Sequence, residues 1–274
     1  MRIALIQLGY DDAASVADRT ARAADLVRAQ RGHDLVVLPE LWAPGGFDYR
    51  SWSQRAETVD GPTAQAMAAA ARDAGVVLHA GSIVERPPGG ERGPEGKDLW
   101  NTSLVFAADG TLLATYRKIH RFGFAQGEPS LMEAGRELAL VDLPDGTGGT
   151  VRAGLSTCYD LRFPELYRAQ LDAGATMFVV PASWPMARVE HWTLLARARA
   201  VENQCVVLAC NAAGPNAGTV MGGASMVVLP SGEVAAAAGS GEQVLSVDLD
   251  MTATTSLRET FPVLRDRRLP LAQA

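Results

Sequence analysis

The chain is poor in cysteine: Cys158, Cys205 and Cys210 are the only three among 274 residues. An odd, sparse count without CxxC spacing argues against a disulfide framework and against a thiolate zinc site. Histidine is almost as scarce. His33, His79, His120 and His191 fall into no HExxH or other paired ligand spacing, so no metal is expected. Long apolar runs are missing as well, and no stretch approaches the roughly 18–20 residues needed to span a bilayer. The opening MRIALIQLGYDDAAS has a short apolar run and then acids, without the small-residue cleavage site of a secretory signal. Positive charge is in deficit, since 25 Lys and Arg against 31 Asp and Glu leave a formal net charge of −6. That balance sets up no general attraction to nucleic acid or to an anionic membrane. The expectation is a cytoplasmic protein with neither of those as a partner.

What is present is an ordinary globular composition, 47% hydrophobic and 20% charged, in an alternating pattern of elements. RIALIQL (2–8) reads as a buried strand, 14–30 as an amphipathic helix and DLVVLPE (34–40) as a second strand. PTAQAMAAAARDA (62–74) opens on a proline suited to a first helical turn and stops at Gly75. VVLHAGSIVE (76–85) is a strand, and RPPGGERGPEGKDLW is too rich in Pro and Gly to be anything but a loop. Asp109-Gly110 between two apolar runs in 102–116 marks a hairpin. LALVDL, VRAGLSTC and MFVVPAS are further strands, with helices at about 163–173 and 188–202. CVVLACN, GASMVVLP, GEVAAAA and QVLSVDLD complete the set. Helices alternating with strands imply βαβ units, while consecutive strands near 205–250 imply added antiparallel pairing. Nothing divides the chain, so residues 1–274 are expected to form one α/β domain. Helices would cover one face of its sheet and a second sheet the other.

Three reactive side chains stand at the ends of apolar strands: Glu40 in LVVLPELW, Lys118 in LLATYRKIHRF and Cys158 in AGLSTCYDLRF. In α/β sheets such ends converge on a crevice. Each residue alone has a plainer reading: Glu40 as a solvated cap, Lys118 as a surface residue, Cys158 as a small core residue. Jointly they are a nucleophile with what it needs. A thiol is only a few per cent ionised at neutral pH and requires a base or a cationic neighbour. The carboxylate provides the base, and the ammonium faces a developing oxyanion together with the backbone N–H of Tyr159. One well-aimed donor of this kind is typically worth ~10²–10³ in rate. Pro164, opening the next helix, leaves Cys158 at a sharp strand-to-helix turn. His120 is an alternative partner for the thiol, while Cys205 and Cys210 in an apolar strand read as core. Asp160, Arg162 and Glu165 read as a helix start or as substrate contacts, and Trp184 in ASWP as core or pocket wall.

VVLPELW, YRKIHRFG and STCYDLRFPELYR, with VDGPT, GSIVER, PASWP, HWTLLARARAVENQ and GGASMVVLPSGEV, resemble the nitrilase superfamily of carbon–nitrogen hydrolases. The likeness runs from about residue 2 to 269 and leans towards the Nit-type amidases that include omega-amidase. It implies a four-layer α-β-β-α sandwich and cofactor-free hydrolysis by a Glu40–Lys118–Cys158 triad. It also implies a homodimer or higher homo-oligomer that extends the sandwich. A second glutamate is expected in the loop after the lysine, and its spacing ahead of Ala134-Gly135 assigns it to Glu128 rather than Glu133. The substrate implied is a small aliphatic amide, with ω-amides of dicarboxylic or keto acids among the candidates, cleaved to acid and ammonia through a thioester. Hydrolysis of nitriles or N-carbamoyl compounds, and a non-catalytic binding protein, are the alternatives. Trp184, Phe124 in FGFAQGEP, and Arg162 are the expected pocket residues, with Arg121 and Arg162 as candidate clamps for a substrate carboxylate.

Overall fold

The computed structural model describes residues 1–124 and 126–269. The first half runs β1 (Arg2–Gln7), α1 (Val16–Arg28), β2 (Leu35–Val37), α2 (Pro62–Ala74), β3 (Val77–Glu85), β4 (Trp100–Phe106) and β5 (Leu112–Arg117). After a single helical turn, α3 (Glu128–Leu131), come β6 (Leu140–Pro144), β7 (Thr150–Leu155), α4 (Pro164–Asp172), β8 (Met177–Ala182) and α5 (Val189–Asn203). The chain continues with β9 (Val206–Asn211), β10 (Ala213–Asn216), β11 (Thr219–Gly222), β12 (Met226–Val228), β13 (Val234–Ala237), β14 (Gln243–Asp248) and α6 (Ala253–Thr260).

Two six-stranded sheets result, ordered β14-β1-β2-β3-β4-β5 and β13-β12-β9-β8-β7-β6. Each has three parallel strands at its centre, β1-β2-β3 or β7-β8-β9, flanked by antiparallel neighbours. Side-chain alternation along these strands builds three layers of core. Ile3 and Leu5 of β1 face the second sheet, which sends Met177 and Val179 of β8 to meet them. Ala4 and Ile6 face α1 and α2, which contribute Val27, Met67 and Ala70. Phe178 and Val180 face α4 and α5, with Leu166, Trp192 and Ala196. The order is helices, sheet, sheet, helices: a four-layer α-β-β-α sandwich. Each fully buried Leu, Ile or Val contributes roughly 1.5–3 kcal/mol.

The helix read over 62–74 forms with those bounds. Pro62 sits in its first turn, and Gly75 at φ +71° accepts the left-handed stop that a β-carbon would strain. Three features depart from the sequence reading. QVLSVDLD leaves the strands that precede it and pairs with β1, closing the edge of the first sheet. β10 and β11 form a two-stranded ribbon where no strands were expected. The segment after Asp248 folds into α6, whose polar ATTSLRET hides the signal. Among the described residues, no helix is long and apolar enough to cross a membrane.

Candidate active site

The parallel strands of both sheets end on the same side of the molecule, and the three reactive residues converge there. Glu40 lies three residues past β2, Lys118 directly past β5 and Cys158 three residues past β7. All three side chains are buried. The path of the Glu40 loop depends on Gly81, where β3 bulges at φ +67° and a β-carbon would sit 1.8 Å from the Pro39 carbonyl oxygen. Only glycine permits that approach. Next to Glu40, Leu41 adopts φ +45°; its amide donates to Ser82 Oγ at 3.1 Å.

Lys118 Nζ donates to Glu40 Oε1 at 2.6 Å and to both oxygens of Glu128, at 2.8 and 3.1 Å. Glu128 is therefore the second glutamate at the lysine. Glu133 is occupied elsewhere, accepting from the Lys97 amide at 2.9 Å. Glu128 also receives the Phe122 amide at 2.5 Å, so the loop after Lys118 is folded back onto its own carboxylate. The lysine backbone is fixed on both sides, with its amide on the Asn101 carbonyl at 2.9 Å and its carbonyl accepting from Gly135 at 2.8 Å.

Two residues of this network escaped sequence reading. Asn101 Nδ2 bridges the two carboxylates, at 2.8 Å from Glu40 Oε1 and 2.6 Å from Glu128 Oε1. Ser183, past the end of β8, donates its amide to Glu40 Oε2 at 2.9 Å and its hydroxyl to the Glu40 carbonyl at 2.7 Å. Tyr10 OH lies 2.8 Å from the same hydroxyl. The one available signal was position, since both Asn101 and Ser183 stand at strand ends on the converging edge. Glu40 is thus gripped at both oxygens, one by the Lys118 ammonium and the Asn101 amide from its own sheet, the other by the second sheet.

Cys158 opens a short helical turn, Cys158–Arg162, at φ +48°. The left-handed region costs a residue with a β-carbon roughly 1–2 kcal/mol, and the neighbouring bonds hold it there. Asp160, fully buried, accepts from the Thr157 amide at 2.9 Å, Tyr116 OH at 2.7 Å and the His120 amide at 2.9 Å. It caps the start of this short helical turn, as one of its two sequence readings had it, and also ties the turn to the segment just beyond Lys118. The amide of Tyr159 precedes the first bonded amide of the turn, that of Asp160 on the Thr157 carbonyl at 3.0 Å. An amide at that place has no partner within the turn. His120 is withdrawn from the thiol. Its ring stacks on Phe163 at 3.8 Å and Nδ1 lies 2.8 Å from Asp160 Oδ1.

Burial and charge act together on these groups. Burial alone would lower the Lys118 ammonium pKa, but the charges of Glu128 and Glu40 outweigh it and hold the lysine well above its ordinary value. Burial, assisted by the Glu40 charge, raises Glu128, with Lys118 opposing. The Cys158 thiol is pushed well up, first by burial and then by the Glu40 charge. Cys205 and Cys210 are unpaired and buried in the core as expected, their thiols donating to backbone carbonyls such as Ala175 and Val37.

The cavity has two compartments that share Cys158. The inner one is lined by Glu40, Lys118, Glu128, Tyr49 and Trp52 among others. The outer one is walled by Phe47, Phe122, Tyr159 and Trp184, with Arg162 and Arg188. Trp184 and Arg162, two of the three expected pocket residues, line this cavity. Phe124 does not: its ring is 90% exposed and only grazes Phe122, at 6.3 Å between centroids. The aromatic that lines the cavity is Phe122, whose amide is anchored on Glu128. Arg121 is also excluded as a clamp, being spent on Glu95 at 2.8 Å and the Met132 carbonyl at 2.7 Å. Among the described residues, no group of three or more His, Cys, Asp or Glu is arranged to hold a metal ion.

Two sheets of this topology with a cysteine, two glutamates and a lysine at their shared edge define a hydrolase-like α-β-β-α sandwich. The chain belongs to the carbon–nitrogen hydrolase family, whose family model matches residues 2–259. It is 44% identical over 266 residues to the 2-oxoglutaramate amidase of Paenarthrobacter nicotinovorans, covering 97% of this chain and 89% of that one. It is 36% identical to the human omega-amidase NIT2, covering 98% of this chain and 96% of that one. Among solved structures, a CN-hydrolase superfamily protein of Xanthomonas campestris, XC1258, superposes with a TM-score of 0.87 at 30% identity. That protein carries an arsenic adduct in its active site, and the match covers 100% of this chain and 99% of that one.

Proposed function

We propose that this protein is a cysteine amidase that hydrolyses ω-amides of small dicarboxylic or 2-oxo dicarboxylic acids to the diacid and ammonia. The observation that carries the reading is Cys158 at the junction of a saturated Glu40–Lys118–Glu128 cluster and an aromatic pocket holding Arg162. Glu40 takes the thiol proton as sulfur attacks the amide carbon. The requirement for a base follows from the raised thiol pKa, which leaves little thiolate before substrate arrives. Lys118 and the Tyr159 N–H donate to the tetrahedral oxyanion. Protonated Glu40 then passes its proton to the departing nitrogen, ammonia leaves, and a thioester joins the acyl group to Cys158. Water gives a proton to Glu40 and attacks the thioester; the proton returns to sulfur as the acid departs. Glu128 and Asn101 keep Lys118 and Glu40 aimed. Arg162, its guanidinium 4.7 Å from the Trp184 ring centroid, receives the substrate's distal carboxylate. The names borne by the two relatives support this choice of substrate.

Ammonia release from 2-oxoglutaramate, glutaramate, butyramide and butyronitrile, with Cys158→Ala as control, tests the reading. Release from the acid amides that vanishes in the variant is the expected outcome. Turnover of the nitrile alone, or carbon dioxide release from an N-carbamoyl compound, would assign another reaction of the same family. Activity surviving in Cys158→Ala would sink the nucleophile assignment.

The chain is further proposed to work as one domain over 1–274, in the cytoplasm and as a homodimer. The family match over nearly the whole chain supports the first. For the last, α5 leaves Leu194 and Val201 exposed at 67% and 50%, seven residues apart on one helix face. Light scattering of the purified protein should give twice the monomer mass.

A further inference from the structure

The outer compartment holds a second cation that the proposed reaction does not use. Arg188 precedes α5, and its guanidinium lies 5.3 Å from the Phe122 ring centroid. Its carbonyl accepts the Trp184 indole N–H at 2.7 Å. Trp184 stacks under Arg162, Arg162 lies 5.8 Å from the Tyr159 centroid, and Tyr159 meets Phe122 edge-on at 5.4 Å. These five residues close a collar around the mouth. Among the described residues neither arginine is ion-paired; Arg162 has only His191 Nδ1 at 3.3 Å. The collar contains no carboxylate, in a chain whose net charge is −6.

One guanidinium satisfies a carboxylate with two parallel hydrogen bonds. A second in the same small aromatic space loses water when a substrate tail enters, and a charge left without an acceptor is costly. An oxo group on the carbon next to the carboxylate supplies that acceptor. An ammonium at the same carbon would face two like charges, which repel it. We propose that Arg188 is a specificity-determining residue that donates to this 2-oxo oxygen. It selects 2-oxo acid ω-amides over their 2-amino and unsubstituted counterparts. The proposal rests on the amidase reading above.

The test measures kcat/KM on 2-oxoglutaramate, glutaramate and L-glutamine for the wild type, Arg188→Gln, Arg188→Glu and Arg162→Gln. Thermal midpoints check that each variant is folded. Arg188→Gln should lower the 2-oxoglutaramate-to-glutaramate ratio about 10- to 100-fold, the weight of one charge-assisted hydrogen bond, chiefly through KM. Arg188→Glu should move the glutamine-to-2-oxoglutaramate ratio towards glutamine by at least as much. Arg162→Gln should depress both acid amides together, keeping their ratio within about threefold. A ratio unchanged in Arg188→Gln would overturn the role of Arg188 while leaving the amidase reading intact. A wild type that hydrolyses butyramide but no acid amide would overturn both.

Discussion

In the inner compartment every charged group has partners at hydrogen-bond distance, whereas the two guanidiniums at the mouth pair with no carboxylate among the described residues. Glu40, Lys118 and Glu128 make seven side-chain hydrogen bonds, counting those from Asn101, Phe122 and Ser183. They are buried and locked before any substrate arrives. Arg162 and Arg188 are half-buried, lean on aromatic faces and keep donors in reserve. In the proposed reaction the inner groups serve chemistry, which rewards preorganised geometry. The outer groups are proposed to serve recognition, which needs unspent donors that a ligand can claim.

This contrast can be broken from the inside outwards. Cys158→Ala should abolish ammonia release, a loss of at least about 10⁴-fold, because no other group supplies the nucleophile. The protein should remain folded, since alanine keeps the β-carbon and the exchange removes only the sulfur. Lys118→Met should both inactivate and destabilise. It leaves two carboxylates facing each other in the interior, and breaking such a buried cluster costs about 3–5 kcal/mol by urea unfolding. Adding Glu128→Gln to Lys118→Met should return part of that stability and none of the activity, which separates the electrostatic role from the catalytic one. At the mouth the pattern should invert. Arg162→Gln should lower kcat/KM for an acid amide about 10- to 100-fold and shift unfolding stability by no more than about 0.5 kcal/mol.

The smallest effect concerns alkaline pH. The Cys158 thiol is raised above its ordinary value of about 9, and Lys118 above 10.5. In both cases the folded protein binds a proton more tightly than the unfolded chain. Their stabilising contribution is present in full below pH about 9 and is lost as pH rises beyond it. Cys205, raised to about 12 by burial, acts in the same direction. Unfolding free energy should therefore fall above pH about 9, with each such group contributing up to about 1.4 kcal/mol per pH unit. In Cys158→Ala the slope should be shallower; an unchanged slope would mean the thiol is not buried as described.

Much of the fold was legible because its strands are short apolar runs bounded by turn residues, and its helices carry their own caps. Helix 62–74 and the 102–116 hairpin are local statements. The partner of β14 is not: QVLSVDLD pairs with Arg2–Gln7 from the far end of the chain, and nothing in either segment names the other. The site divides in the same way. Glu40, Lys118 and Cys158 announced themselves by chemistry and position. Asn101 and Ser183 are uncharged residues with no reactive signal, significant only because folding aims them at Glu40. Phe122 and Phe124 are two residues apart and alike in kind. The turn at Gly123, φ +139°, with the Phe122 amide bound to Glu128, decides which ring lines the pocket.

Sequence alone thus determined the residue types able to form a thiol nucleophile, its base and its cation, and the strands that carry them. Reactivity is written in side-chain chemistry, and strand pattern in short-range periodicity. Tertiary structure alone decided which oxygens Lys118 bridges, that His120 turns away to Asp160, and that two unpaired arginines meet across Phe122, Tyr159 and Trp184. Those outcomes depend on distances between segments far apart in the chain, and such distances exist only once both sheets have packed.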